Sequence, residues 1–166
     1  PLAWPAADVR KRAFLWLLFL GPLFYLSYTS ANYLASLRSD VANIALEWEK
    51  HIPFLEWSII PYWSVNLFYV TTLFFNDTPQ GVDRIAKRYL ICQTIAVTLF
   101  VLFPFQAIFI KPQTSGFTGF LFDALGSFDR PFNQAPSLHI ALLVIIWHHW
   151  RNRFEGLWLL VWHVWC

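Results

Sequence analysis

Hydrophobic positions along this chain fall into long blocks that no charge interrupts. No Asp, Glu, Lys or Arg occurs between Arg12 and Arg38, between Glu56 and Asp77, between Arg88 and Lys111, or between Arg130 and Arg151. Each block holds about 20 residues or more, the length at which an α-helix covers roughly 30 Å of hydrocarbon. A helix packed on a water-soluble core carries polar residues on its outer face and rarely runs so far without a charge. The pattern predicts four spans, over residues 14–30, 58–75, 89–110 and 137–150. A fifth apolar run covers 156–166, only ~16 Å as a helix, and a free carboxylate inside hydrocarbon is costly. The chain therefore reads as a fragment, and its start at Pro1 points the same way. The expected fold is all-α: a polytopic membrane helix bundle of four complete transmembrane helices plus an incomplete fifth, one membrane domain over residues 1–166.

The connections carry their own patterns. Leu34, Leu37, Val41, Ile44 and Ala45 recur at helical spacing with Arg38, Asp40 and Glu47 between them, which predicts an amphipathic helix lying in the headgroup plane. Ile52-Pro53-Phe54 bends the chain into span two, and Asn76-Asp77-Thr78-Pro79-Gln80-Gly81 reads as a turn. Asn76-Asp77-Thr78 also matches a glycosylation acceptor, which the following proline and the expected cytoplasmic side argue against. Gly21-Pro22 interrupts the first apolar run without a small-residue cleavage pattern, which favours a kinked, retained helix over a cleaved leader.

Composition sharpens the class: 57% of residues are hydrophobic and 13% charged, with mean hydropathy +0.46, outside the ordinary soluble range. Charge sets the sidedness. Arg10, Lys11 and Arg12 precede span one, Arg84, Lys87 and Arg88 lie between spans two and three, and Arg151 and Arg153 follow span four. This is the positive-inside pattern, so the N-terminus is expected in the cytoplasm. The protein is expected in the plasma or inner membrane, with the start of span four on the outer face. Trp57, Tyr62, Trp63, Trp147 and Trp150 suit interfacial belts. His163 stands two turns inside the fifth run, where a neutral ring bonded across helices is expected. Two cysteines form no disulfide framework, and adjacent His148 and His149 point apart on a helix. No metal-ligand spacing occurs, and neither metal nor cofactor is expected.

Chemistry concentrates before span four. Ala135-Pro136-Ser137-Leu138-His139 brings a hydroxyl, first-turn amides and an imidazole to one helix N-terminus. Unpaired N–H groups and the macrodipole favour an anion there. In the preceding outer loop, residues 111–136, where Gly116 and Gly119 loosen the backbone, the basic side chains are Lys111 and Arg130, both near helix ends. A partly desolvated phosphate needs such cations, because Coulomb attraction strengthens as the local dielectric falls. Lys111, Arg130, Ser137 and Leu138 are the candidate phosphate-binding residues, with snorkelling to headgroups the alternative for Lys111 and Arg130.

The Pro136-Ser137-Leu138-His139 stretch resembles the second motif, Pro-Ser-Gly-His, of the type 2 phosphatidic acid phosphatase superfamily, with Leu138 in place of glycine. The run from Phe132 to His139 is most similar to a divergent bacterial branch related to the inositol phosphorylceramide synthases. The family's first motif is Lys, six residues, then Arg-Pro. Aligning Lys111-Pro112 with its end puts Pro104 at the leading position, and aligning Arg130-Pro131 puts Asp123 there, so that motif is degenerate. The third motif, Ser-Arg, five residues, His, three residues, Asp, is missing and is expected just past Cys166. The resemblance implies metal-independent phosphoryl transfer through a phosphohistidine on the third-motif His. It also implies that His139 is the general acid for the leaving alkoxide and that basic residues carry the phosphoryl charge. The fragment, without the nucleophile, is expected to be inactive alone.

The function so expected is a membrane phosphatase acting on lipid phosphates. The partners expected are membrane lipids and a lipid phosphate substrate, with no nucleic acid; no protein partner is indicated. Two alternatives stay open. A lipid phosphotransferase of the inositol phosphorylceramide synthase type uses the same constellation. A non-enzymatic scaffold or transporter fragment is the other; a transporter calls for inverted repeats, which the sequence does not display, although Pro104 interrupts span three.

Overall fold

Buried positions recur every three or four residues along the long helices, which is how a 3.6-residue repeat presents one face to its neighbours. In the computed structural model, which describes residues 5–106, 112–127 and 129–166, helix α1 covers Ala7–Ser36 and turns Val9, Ala13, Leu20, Tyr28, Ala31 and Ala35 inward. A two-residue strand, β1 (Ala42–Asn43), follows. Helix α2 spans Ile59–Phe74 and α3 spans Pro79–Leu102. Strand β2 (Phe105–Gln106) precedes helices α4 (Gly116–Gly126), α5 (Leu138–Arg151) and α6 (Gly156–Trp165).

The described residues are thus mostly helical, with six α-helices. Two of them, α1 and α3, are long and apolar enough to cross a membrane. The 16 residues of α2 and 14 of α5 fall short of the roughly 20 that a span needs. Pro22 sits inside α1 without ending it.

Two compact units divide the chain. The first comprises Pro1–Phe24, Ser64–Thr94 and Leu138–Cys166. Its core is aromatic: Trp150 stacks on Phe154 at 5.2 Å and meets Phe75 at 5.6 Å, and Phe68 meets Trp162 at 4.7 Å. The Trp150 indole donates to Thr72 Oγ1 at 2.9 Å. Tyr69 and Tyr89 stack at 4.1 Å. Arg12 grips Asp83 through Nε and Nη2 at 2.6 and 2.9 Å, and the Trp16 indole donates to the same carboxylate at 2.7 Å, tying α1 to α3.

The second unit comprises Tyr25–Trp63 and Ile95–Ser137. Here β1 pairs in parallel with β2, Ala42 opposite Phe105 and Asn43 opposite Gln106. Helix α4 packs on the chain leading into α2: Thr118 Oγ1 donates to Glu56 at 2.7 Å, the Trp63 indole to the Leu121 carbonyl at 3.3 Å, and Phe54 meets Phe122 at 5.3 Å.

Several expectations need correction. The amphipathic helix expected near residues 34–47 does not form. Leu37 and Arg38 donate to carbonyls three residues back as α1 closes, after which the backbone turns to β2: Ile44 N–H reaches the Gln106 carbonyl at 2.9 Å and the Gln106 amide reaches the Val41 carbonyl at 3.0 Å. Arg38 and Asp40 form a two-bonded pair at 3.1 and 3.0 Å, a contact between residues two apart that a helix would point away from each other. That pair holds the Asp40 carboxyl below the usual carboxylate range.

Span three is expected over 89–110, whereas α3 starts at Pro79 and ends at Leu102. Thr78 accepts the Gly81 N–H at 3.1 Å, and proline suits the first helical position, so the helix begins before its basic residues rather than after them. Pro104 stops it. Residues 107–110 lie outside the described ones. The segment expected to be a loop over 111–136 contains α4. Trp150 belongs to the core at 4% exposure, not to an interfacial belt. His163 bonds along its own helix, Nδ1 to the Leu159 carbonyl at 2.6 Å, not across helices. Asn76 is buried and donates to the Thr72 and Leu73 carbonyls at 2.7 and 3.1 Å, closing the end of α2.

Candidate functional site

Helix α5 begins at Leu138, which puts Ser137 in the cap position, from which a hydroxyl can accept a first-turn N–H. His139 follows in the first turn, half-buried, while Ser137 is exposed. Leu138 is 2% exposed and starts the buried stripe that continues through Leu142, Ile146 and Trp150. Its side chain therefore belongs to the core of the first unit, and only its backbone N–H is suited to an anion. This apolar anchor fixes the rotation of α5, and with it the direction in which His139 leaves the helix.

The lead-in to the motif lies in the second unit and is fastened to α1. Tyr28, Asn32 and Ser36 are four residues apart, hence stacked on one face of the helix. The Tyr28 hydroxyl donates to Asp129 Oδ1 at 2.8 Å, Asn32 Nδ2 approaches the same oxygen at 3.4 Å, and Tyr62 also bonds this carboxylate. Arg130 Nη1 donates to Ser36 Oγ at 2.9 Å. Asn133 Nδ2 donates to the Tyr28 carbonyl at 3.1 Å, and Asn133 bridges to Phe105 while the Gln134 N–H reaches the Phe105 carbonyl at 3.4 Å. Asn32 and Asn133 are 1% and 6% exposed, each with its amide oxygen unpartnered. The segment from Asp129 to Gln134 is thus held by side chains and backbone on three sides before it reaches Ser137.

Among the sequence-chosen residues, Arg130 is exposed with one guanidinium nitrogen on Ser36. Lys111 lies outside the described residues. Ser137, Leu138 and His139 are brought together at the start of α5 by chain connectivity alone. Sequence reasoning missed the Tyr28–Asn32–Tyr62–Asp129–Asn133 network. Its signal is the spacing by four of Tyr28, Asn32 and Ser36 inside an otherwise apolar run, where polar side chains need partners.

Chemically, the start of α5 offers a hydroxyl, helix-terminal amides and an imidazole. No group of three or more His, Cys, Asp or Glu side chains able to hold a metal occurs among the described residues. No protein-family model, no curated protein and no solved structure matches this chain.

Proposed function

We propose that this chain is the membrane-embedded part of a histidine-based lipid phosphatase, with His139 as general acid and Ser137, the Leu138 amide, Lys111 and Arg130 bearing the phosphoryl charge. The observation that carries the reading is the start of α5 at Leu138, which makes the Ser137-Leu138-His139 stretch a helix N-terminus rather than a loop or a mid-helix segment. An anion there meets the Leu138 N–H and the favourable end of the macrodipole.

The membrane part of the reading has separate support. Only 17% of the most apolar window of α1 and 33% of that of α3 are buried. Leu18, Leu26 and Leu67 stand 63%, 69% and 62% exposed. Apolar surface on that scale needs an apolar solvent, and lipid supplies one. In the proposed arrangement α1, α2, α3 and α5 all span, with α2 and α5 accommodated by bilayer thinning or by burial of their ends in protein. The short α5 then sets His139 below the outer headgroups, within reach of a lipid phosphate.

The test uses the full-length protein and two substrates. His139→Gln lowers turnover of a lipid phosphate by ~10²-fold or more, the typical worth of general acid help. A nitrophenyl phosphate, whose leaving group needs no proton, loses much less. Lys111→Ala weakens both substrates alike, since it acts on phosphoryl charge. Unchanged lipid turnover in His139→Gln protein rejects the assignment.

A further inference from the structure

A polar cavity lies in the first unit, at the opposite end of α5 from His139. Ten residues separate His139 from His149, about 15 Å along the helix, so the two sites are distinct. The cavity holds ≈ 350 Å³, within the range of about 300–1,000 Å³ usual for small-molecule sites. Its walls are the turn before α3, one face of α3, and the last turn of α5 with the residues just after it.

The lining is cationic. Arg84 and Arg88 are four apart, so they share a face of α3, and both are exposed. Neither has a carboxylate partner among the described residues. Arg153 forms the facing wall, its side chain 22% exposed, and holds Asp77 at 3.2 Å; Asp77 itself is 94% exposed. Three guanidinium groups therefore face one carboxylate, and that carboxylate stands at the rim, where it can turn away. His149, 6% exposed, lines the same cavity. Its Nε2 bonds the Phe75 carbonyl at 2.9 Å, so Nε2 carries a proton and Nδ1 is left without a protein partner among the described residues. With Nε2 fixed as the donor, Nδ1 is an acceptor, suited to a hydroxyl on the ligand.

We infer that this cavity binds a phosphate-bearing anion, with Arg84 and Arg88 forking onto its oxygens, Arg153 released from Asp77 to join them, and His149 at the back. Guanidinium groups match tetrahedral oxyanions with paired donors, and that match distinguishes phosphate from chloride. The anion is the phosphate of a lipid headgroup or a soluble phosphate compound. The lipid source rests on the membrane reading above, in which this end of the helices meets the anionic cytoplasmic leaflet; the anion site itself does not.

The experiment measures thermal unfolding of the purified chain in detergent as inorganic phosphate is added at constant ionic strength, against chloride and sulfate. A ligand that binds only the folded state raises the midpoint with concentration. Wild type should respond to phosphate and not to chloride. Arg84→Gln/Arg88→Gln should show an apparent affinity ~10-fold or more weaker, as expected from losing charge-assisted hydrogen bonds. Both side chains are exposed, so the midpoint without phosphate should stay near wild type. Arg84→Lys/Arg88→Lys, which keeps the charge but not the fork, should fall between.

His139→Gln should respond like wild type. A response lost in His139→Gln and kept in Arg84→Gln/Arg88→Gln overturns this site and leaves the proposed phosphatase site standing. No response to phosphate in any variant overturns this site as well. Adding phosphatidic acid to the micelles identifies the source. Competition with phosphate assigns the cavity to a lipid headgroup, and phosphate binding without competition assigns it to a soluble compound.

Discussion

Tyr28→Phe isolates the bond that ties the motif's lead-in to α1. Tyr28 is 6% exposed, and its ring meets Phe100 edge-on at 6.0 Å. Phenylalanine keeps that packing and leaves the Tyr28 carbonyl free to receive Asn133. What is lost is one hydroxyl, 2.8 Å from the Asp129 carboxylate. A hydrogen bond to a charged group contributes about 1.5–3 kcal/mol, and the carboxylate keeps the 3.4 Å approach of Asn32 and its bond with Tyr62. Unfolding free energy should fall by about that amount. Denaturant unfolding in detergent micelles, followed by tryptophan fluorescence, reads it directly. Asp129→Asn and the double variant complete a cycle, in which the pair should couple by ~1 kcal/mol or more. A Tyr28→Phe protein within ~0.5 kcal/mol of wild type, or single changes that add within ~0.5 kcal/mol, would refute the claim that this bond fastens the segment.

Gly119→Ala should destabilise by ~1–3 kcal/mol in the same assay, because a Cβ there would meet the Thr114 carbonyl carbon and oxygen at 2.9 Å and backbone cannot swing aside. Gly126→Ala, with open space around it, should be neutral or gain up to ~1 kcal/mol from helix propensity; equal effects at the two glycines would show that the steric argument is wrong. In intact cells, a cysteine placed at Ser115 should react with an impermeant thiol reagent and one placed at Gln80 should not. The reverse pattern would turn the proposed topology over and move the start of α5 to the cytoplasm.

Helices were legible wherever apolar content and a local stop signal agreed. Of the turn expected at Asn76–Gly81, residues 76–78 lie between α2 and α3 while Pro79, Gln80 and Gly81 open α3, and the start of α5 falls within a residue of its expected place. The errors share a cause. Charge-free windows mark where hydrocarbon is tolerated, not where hydrogen bonding begins, so Arg84, Lys87 and Arg88, which lie between the expected spans, ride on the first turns of α3. The 34–47 stretch had helical periodicity, but its backbone found partners in Phe105 and Gln106, which periodicity cannot foresee. Two glycines made residues 111–136 look loose, yet Gly119 permits α4 to lie against Thr114. In the site, Ser137, Leu138 and His139 were readable because one helix start contains them all. The Asp129 network was not, since its members are up to 105 residues apart along the chain.

The stripe of Tyr28, Asn32 and Ser36 gives the far end of α1 a fixed phase. One residue inserted after Tyr28 would rotate everything beyond it by about 100°, carrying Asn32 and Ser36 away from Asp129 and Arg130 while leaving helix length and hydrophobicity almost unchanged. The distance from Tyr28 to Ser36 is thus as constrained as the spacing inside the motif it supports. A search for distant relatives should treat those nine positions as ungappable, and should weigh a polar residue every fourth place there above any apolar identity in the rest of the helix.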